Sequence, residues 1–183
     1  AAKAYRQLNA PQESRMVRIG ALAGLAAAEG KDAVPALTAA IESNDVQVQA
    51  AAIRFLGAIP GPAITAVLVK EFPKLPASGQ ARLVAALGDR GDASAKPLVM
   101  TAVASPAAEV RAAALAGLGK LGDSSSVMLL AKAAADGQGA EQNAARQSLY
   151  GLRGAGIDPA VVAAIGSSSG KVKTELIVAA GER

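Results

Sequence analysis

Two lysines and a threonine are the side chains whose spacing best suits shared chemistry, because Lys70, Thr101 and Lys132 recur at one constant interval along the chain. On equivalent elements this spacing would align them in one stripe, and a positive stripe can bind the phosphates of a nucleic acid. Ala39 and Gly166 hold the same position in the outer copies and carry no charge. The spacing therefore predicts a contact surface, with a solvated face of mixed charge as the simpler interpretation.

The sequence offers few residues for catalysis or metal binding, because the chain contains neither His nor Cys. This excludes a triad built on either residue, a disulfide, and the usual zinc, haem or iron–sulfur ligands. The segment 117–122 is rich in glycine, but it lacks the G-x-x-x-x-G-K-[ST] pattern of a phosphate loop. The acidic residues fall mostly at predicted turns, where helix capping explains them. We predict no catalytic residue, no cofactor and no metal site.

The composition favours an all-helical body. Of 183 residues, 51% are hydrophobic but only 2% are aromatic, and 46 are alanine. Small side chains must therefore fill the interior, and alanine has the highest helix propensity. Nineteen Lys and Arg against fifteen Asp and Glu give a formal charge of +4. We expect a soluble protein without a membrane span, and the lack of cysteine is compatible with the cytoplasm or an extracytoplasmic space.

An internal repeat with a period of about 31 residues organises the chain. The segment that begins at Val110 has counterparts at Gly79, Val48 and Val17, each one full period before the next. The following step, to Ala144, is longer than the period, and the step to Val172 is shorter by the same amount, so the phase is recovered. Within a copy the apolar spacing is i, i+5, i+8, which places these side chains on one face of a helix.

A second apolar helix follows in each copy, with Leu37, Leu68, Val99 and Leu130 at one shared position. The pairs Ser105-Pro106 and Asp158-Pro159 predict helix starts, each with an N-cap followed by proline at the first helical position. One helix pair of this size cannot bury its apolar faces alone, so stacked pairs are expected to form a solenoid.

The segment from Ala107 to Asp123 resembles a HEAT repeat, of the short bacterial type also called PBS-lyase HEAT-like, and Asp32 to Ile41 is similar to the second helix of that family. The resemblance implies an all-α, armadillo-like right-handed superhelix of about five and a half helix pairs. It also implies that the second helices, with Lys70, Thr101 and Lys132, form the concave face. In this family a Val-Arg pair and an Asp after the first helix tend to be structural. Here only some copies carry them, including Arg111 and Asp123.

For function, the repeat predicts a non-catalytic scaffold that presents a curved helical surface to a protein or to another domain of the same polypeptide. Phe55 and Tyr150 are candidates for surface aromatic anchors. Two alternatives remain: a nucleic-acid-binding module, and an enzymatic or chromophore-handling module, since some relatives with these repeats belong to bilin lyases. We expect residues 1–183 to form one domain that is part of a longer chain.

Overall fold

Helices make up all the regular structure in the computed structural model, which describes every residue from Ala1 to Arg183. The twelve α-helices are α1 (Ala2–Leu8), α2 (Arg15–Glu29), α3 (Val34–Ile41), α4 (Val46–Ala58), α5 (Pro62–Glu71), α6 (Ala77–Arg90), α7 (Lys96–Ala102), α8 (Ala108–Leu121), α9 (Val127–Asp136), α10 (Gly139–Gly151), α11 (Ile157–Ser167) and α12 (Gly170–Glu182). The longest helix, α2, has 15 residues, and none of the twelve has the length and apolar character needed to cross a bilayer.

The helices form two parallel rows, which confirms the predicted solenoid. The first helices α2, α4, α6, α8, α10 and α12 pack side by side in chain order. The second helices α3, α5, α7, α9 and α11 form the other row, and α3, α7 and α9 each pack on the first helix of the following pair. Helix α1 packs against α2. Each layer therefore contacts its immediate neighbours, as a solenoid requires.

The core follows the register of the repeat. At one position of the first helices the side chains are at most 2% exposed in four successive copies, namely Leu22, Ile53, Val84 and Leu115. The longer step predicted at Ala144 is wrong, because α8, α10 and α12 begin at residues 108, 139 and 170, one constant period apart. Arg146 therefore occupies the fifth copy of this position, and the buried Leu149 is the counterpart of Leu118. The sixth copy of that position is Ile177, which is 53% exposed. Burial in this fold thus comes from the neighbouring helices rather than from the helix that carries the side chain.

Two predicted helix starts are wrong by a fraction of a turn. Helix α8 begins at Ala108, and Ser105 instead accepts a hydrogen bond from the Ala107 amide in the turn before it. Helix α11 begins at Ile157, with Asp158 inside its first turn, because Gly156 supplies the start with a positive φ of 83°. Only glycine adopts such a φ without strain, so the helix starts directly after it.

Glycines allow α6, α8 and α10 to approach closely. A Cβ on Gly88 would lie 3.0 Å from the Cα of Gly117 in the next first helix. A Cβ on Gly119 would lie 2.7 Å from the Oγ of Ser148 and 3.2 Å from its Cα. These distances are shorter than ordinary van der Waals contact, so no larger residue fits at Gly119 without moving α8 and α10 apart.

We therefore predict that Gly119→Ala lowers the free energy of unfolding by about 1 kcal/mol or more, since overpacking outweighs the gain in helix propensity. The matched control is Gly20→Ala in α2, where an added Cβ meets nothing within 4 Å. That variant should be more stable than the wild type by about 0.5 to 1 kcal/mol. Urea unfolding followed by circular dichroism measures both, and equal stabilisation by the two substitutions would contradict the close packing.

Candidate functional site

The predicted stripe lies on exposed turns of the second helices. Lys70, Thr101 and Lys132 sit on α5, α7 and α9, and all three are exposed. The Thr101 hydroxyl donates to the carbonyl of Pro97 at 3.0 Å, while neither lysine forms a salt bridge. The structure thus places these residues at equivalent positions in successive layers.

Two lysines separated by an uncharged layer make a weak electrostatic surface. Packed helices lie about 8–10 Å apart, so Lys70 and Lys132, two layers apart, are separated by on the order of 20 Å. This exceeds the Debye length of about 8 Å at physiological salt, so their fields barely reinforce one another. The stripe offers two isolated cations rather than a continuous track for a phosphate backbone.

The two predicted aromatic residues are half-buried. Phe55 packs against the core, with the guanidinium of Arg54 4.8 Å from the centre of its ring. Tyr150 also packs against the core, and its hydroxyl donates to Glu175 of α12 at 3.3 Å. Burial, followed by the negative charge of Glu175, raises the pKa of Tyr150. Each ring is thus partly engaged within the stack, and a partner-binding role for either stays a prediction.

A groove opens between α4 and α6, on the row of first helices. Its volume is about 460 Å³, and its surface comprises Ala50, Ile53, Arg54, Gly57, Ala58, Arg82, Ala85, Ala86, Asp89 and Arg90. The corresponding space between α6 and α8 has about 100 Å³. The floor of the groove is made of small and aliphatic side chains, and its rim carries three guanidinium groups. It is the larger of these two spaces between successive first helices.

The spacing of the two walls explains why the groove lies in this layer. Gly57 faces Ala86, and a Cβ on Gly57 would lie 3.4 Å from the alanine methyl, an ordinary contact distance. One layer further, Gly88 faces Gly117, where no methyl intervenes and the backbones come closer. The helices α4 and α6 are thus further apart at Gly57 and Ala86 than α6 and α8 are at Gly88 and Gly117.

Arg90 closes one end of this groove and ties two layers together. Its guanidinium donates to the carbonyls of Gly57, Ile59 and Gly61, at 2.6 Å for Ile59 and 2.9 Å for Gly61. These carbonyls lie at the end of α4 and in the following turn, where no helical amide remains to bind them. Arg183 occupies the equivalent position in the last copy and donates to the carbonyl of Leu152. Arg90 therefore has a structural role.

Acidic side chains are engaged within and between layers. Asp123 caps the turn before α9 by accepting from the amide of Ser125 at 2.9 Å, and it pairs with Lys96 of the preceding layer at 2.5 Å. Lys96 first, then Ser125, lower the pKa of Asp123 to about 2. One repeat earlier, the equivalent link joins Thr65 to Asp92 at 2.6 Å. Asp92 and Asp123 link successive layers, and their role is therefore structural.

A cluster of Arg146, Tyr150 and Glu175 joins α10 to α12. Arg146 donates to both oxygens of Glu175, and its hydrogen bond to this carboxylate raises the pKa of Arg146. Glu175 is 8% exposed and is thus a buried charge with two partners. No group of three or more acidic side chains lies close enough to hold a metal ion. The cluster has the composition of an inter-layer bridge and lacks a nucleophile beside a base.

The sequence-based interpretation missed the arginines of the groove, although a signal for them existed. Arg54 occupies a repeat position that is alanine at positions 23, 85 and 116, and Arg82 occupies one that is Gly20, Ala51 and Ala113 elsewhere. Both positions carry small residues in the copies on either side, although later copies have Gln147 and Val178 at the first position and Glu175 at the second. Arg54 and Arg82 thus distinguish the facing walls of α4 and α6 from those of the adjacent layers.

Comparison with known proteins agrees with this architecture. The family model for HEAT repeats matches residues 6–72 and 65–150. Human deoxyhypusine hydroxylase in complex with glycerol is similar over 96% of this chain and 70% of its own, with 17% identity and a TM-score of 0.61. An engineered protein is similar over 99% of this chain and 95% of its own, with 21% identity and a TM-score of 0.55.

A third solved structure is the complex of CpcE and CpcF of phycocyanin lyase from Nostoc. It has 17% identity and a TM-score of 0.49, over 98% of this chain and 81% of that one. No curated protein sequence matches the chain. The two stacked rows define an α-α solenoid, and because the family model covers more than half of its residues, the chain belongs to the HEAT-repeat family.

We predict that Arg90→Met lowers the free energy of unfolding by about 1.5 to 3 kcal/mol, because carbonyls at the end of α4 lose a charged donor. Arg90→Lys should recover only part of this loss, since an ammonium group cannot reproduce the planar fork that reaches three acceptors. Urea unfolding measures both variants. Wild-type stability in Arg90→Met would show that water replaces the guanidinium without cost.

The pair of Lys96 and Asp123 predicts a pH dependence. The folded pKa of Asp123 is about 2 against 3.8 for the free side chain, so between these values the unfolded chain binds more protons. Its contribution is therefore present above about pH 4 and is lost as the pH falls towards about 2. Asp123→Asn keeps an acceptor for the cap but cannot titrate. The difference in urea midpoint between wild type and Asp123→Asn should shrink across this window, and a constant difference would contradict the assignment.

Proposed function

We propose that this chain is a non-catalytic scaffold that binds a protein partner, or another domain of its own polypeptide, through the surface of its helix rows. The observation that carries this proposal is the regular stack itself. Five layers repeat the same core, and their polar side chains mainly cap helices or join neighbouring layers. Such a body offers an extended, preorganised surface at little conformational cost on binding.

The distribution of reactive groups supports the non-catalytic part of the proposal. Deoxyhypusine hydroxylase is an enzyme, so a stack of this kind does not by itself decide between catalysis and binding. The present chain has no His and no Cys, and its inter-layer acids Asp92 and Asp123 already bind neighbouring donors. A general base or nucleophile would need a free group beside a substrate cavity, and the groove between α4 and α6 has only Asp89, which pairs with Lys120.

The alternative function is nucleic-acid binding through the exposed Lys70, Thr101 and Lys132. Its support is the shared position of these residues in successive layers and the formal charge of +4. The wide separation of the two lysines argues against it, and so does the scarcity of aromatic residues for base stacking. DNA binding through this row would weaken steeply with salt.

The test uses the immobilised chain as bait in a lysate of its source organism, and each retained protein is then purified and titrated by calorimetry. We expect at least one protein to bind in a 1:1 complex with a Kd of about 10 µM or tighter. Duplex DNA, titrated between about 50 and 200 mM salt, should bind only weakly. The variant with Lys70→Glu and Lys132→Glu is compared with the wild type in both the protein and the DNA titrations.

Two results would overturn the proposal. In the first, none of the purified proteins binds the isolated chain. In the second, DNA binds tightly and loses its affinity in the double lysine variant, which would favour the alternative. A substrate turned over by the purified chain would remove the non-catalytic claim directly.

A further inference from the structure

The groove between α4 and α6 has a floor without hydrogen-bonding side chains. Ala50, Ala85 and Ala86 are apolar, Gly57 adds only backbone, and Ile53 beneath them is almost fully buried. Its residues on α4 run from Ala50 to Ala58, which corresponds to about 12 Å, or two helical turns. An apolar groove of this length matches one face of a short helix rather than an extended chain with many polar backbone groups.

The two sides of the groove carry positive charges that form no salt bridge within the chain. Five of the ten arginines form salt bridges, and Arg90 and Arg153 donate to carbonyls. Of the remaining three, Arg54 and Arg82 both flank this groove and are exposed. Neither guanidinium has a hydrogen-bond partner within the chain, and Arg54 rests on the ring of Phe55.

These two arginines stand at the same level on opposite walls. Gly57 faces Ala86, and the same offset along the chain places Arg82 level with Ile53, the neighbour of Arg54 in sequence. The one acidic residue of the groove, Asp89, pairs with Lys120. The local field is therefore positive on both sides of an apolar floor. This arrangement is complementary to a segment with apolar residues on one face and a carboxylate on each flank.

We propose that this groove binds a short acidic amphipathic helix of a protein partner. Leucine-sized side chains of that helix lie on the floor formed by Ala50, Ala85 and Ala86, and Asp or Glu residues on its two flanks pair with Arg54 and Arg82. Guanidinium groups suit this role because they bind carboxylates in a bidentate manner. The inference rests on the proposed scaffold function and names the chemistry of its partner.

A nucleic acid fits the groove less well. Two arginines across a groove neutralise few phosphates, whereas nucleic-acid affinity grows with the number neutralised. An apolar floor gives the sugar-phosphate backbone no partner. An amphipathic peptide helix with acidic flanks contacts both the apolar floor and the two arginines.

The test selects from a displayed library of random peptides of about four helical turns. Selection on the wild type is compared with selection on a variant carrying Arg54→Glu and Arg82→Glu. We expect the wild type to enrich peptides with apolar residues at i, i+3/i+4 and i+7 and with Asp or Glu on both flanks. The best peptide is then synthesised and titrated by fluorescence anisotropy.

Three variants make the titration specific. The double arginine variant should weaken binding of the acidic peptide by about tenfold or more, and a peptide with Lys in place of its acidic residues should bind that variant better than it binds the wild type. The matched control carries Lys70→Glu and Lys132→Glu, the same change in charge on the other helix row, and should leave affinity within about twofold. Ala85→Phe fills the groove without altering charge and should abolish binding.

The proposal is overturned if no peptide is enriched, if the enriched peptides show no acidic bias, or if Ala85→Phe and the double arginine variant bind as the wild type does while remaining folded by circular dichroism. Binding of duplex DNA that depends on Arg54 and Arg82 would also overturn it. These results are distinguishable from failure of the scaffold function, because a protein that binds the wild type and the double arginine variant equally would leave that function intact and exclude this groove.

Discussion

Burial of each layer by its neighbours is the constraint on which this structure depends. A pair of short helices cannot cover its own apolar faces, so a leucine becomes fully buried only where another layer packs over it. Leu22 and Leu115 show this within the stack, and Ile177 shows the converse, because it holds the same position yet remains half exposed on α12. The scarcity of aromatic residues follows from the same constraint, since closely spaced layers leave little room for large rings between first helices.

Differences in the distance between successive first helices then create the groove between α4 and α6. Where glycine faces glycine or serine, as from α6 to α10, the first helices approach closely and the surface between α6 and α8 is nearly closed. Between α4 and α6, where Gly57 faces Ala86 at ordinary contact distance, the helices lie further apart and a groove opens. Arg54 and Arg82 stand here at positions that are alanine or glycine in the neighbouring copies. Looser packing of α4 on α6, together with two arginines on the facing walls, thus gives one layer a character that the others lack.

Much of the fold could be predicted from the repeat, because a constant period with apolar positions at fixed offsets specifies both helices and their buried faces. Leu56, Leu87 and Leu118 are fully buried as that register requires. Helix starts were less accurate, since Gly156 determines the start of α11 through a backbone conformation that the Asp-Pro pair does not reveal. The groove could not be predicted, because its existence depends on which glycines and alanines face each other across a layer, and this follows from helix offset rather than from pattern. The repeat correctly placed Lys70 and Lys132 at one shared position on the second helices. Whether they bind anything depends on the chemistry of a partner, which the repeat does not specify.

The polar links between layers have a consequence for how such a chain changes over time. Arg15 with Asp45, Lys96 with Asp123, and Arg111 with Glu141 all join side chains separated by 27 to 30 positions, close to one repeat. Because each link spans about one repeat, it joins only adjacent layers, and duplication or loss of a whole unit leaves the links elsewhere in the stack intact. Tandem gene duplication can lengthen or shorten this protein without redesigning its interior, while individual surfaces diverge to suit new ligands.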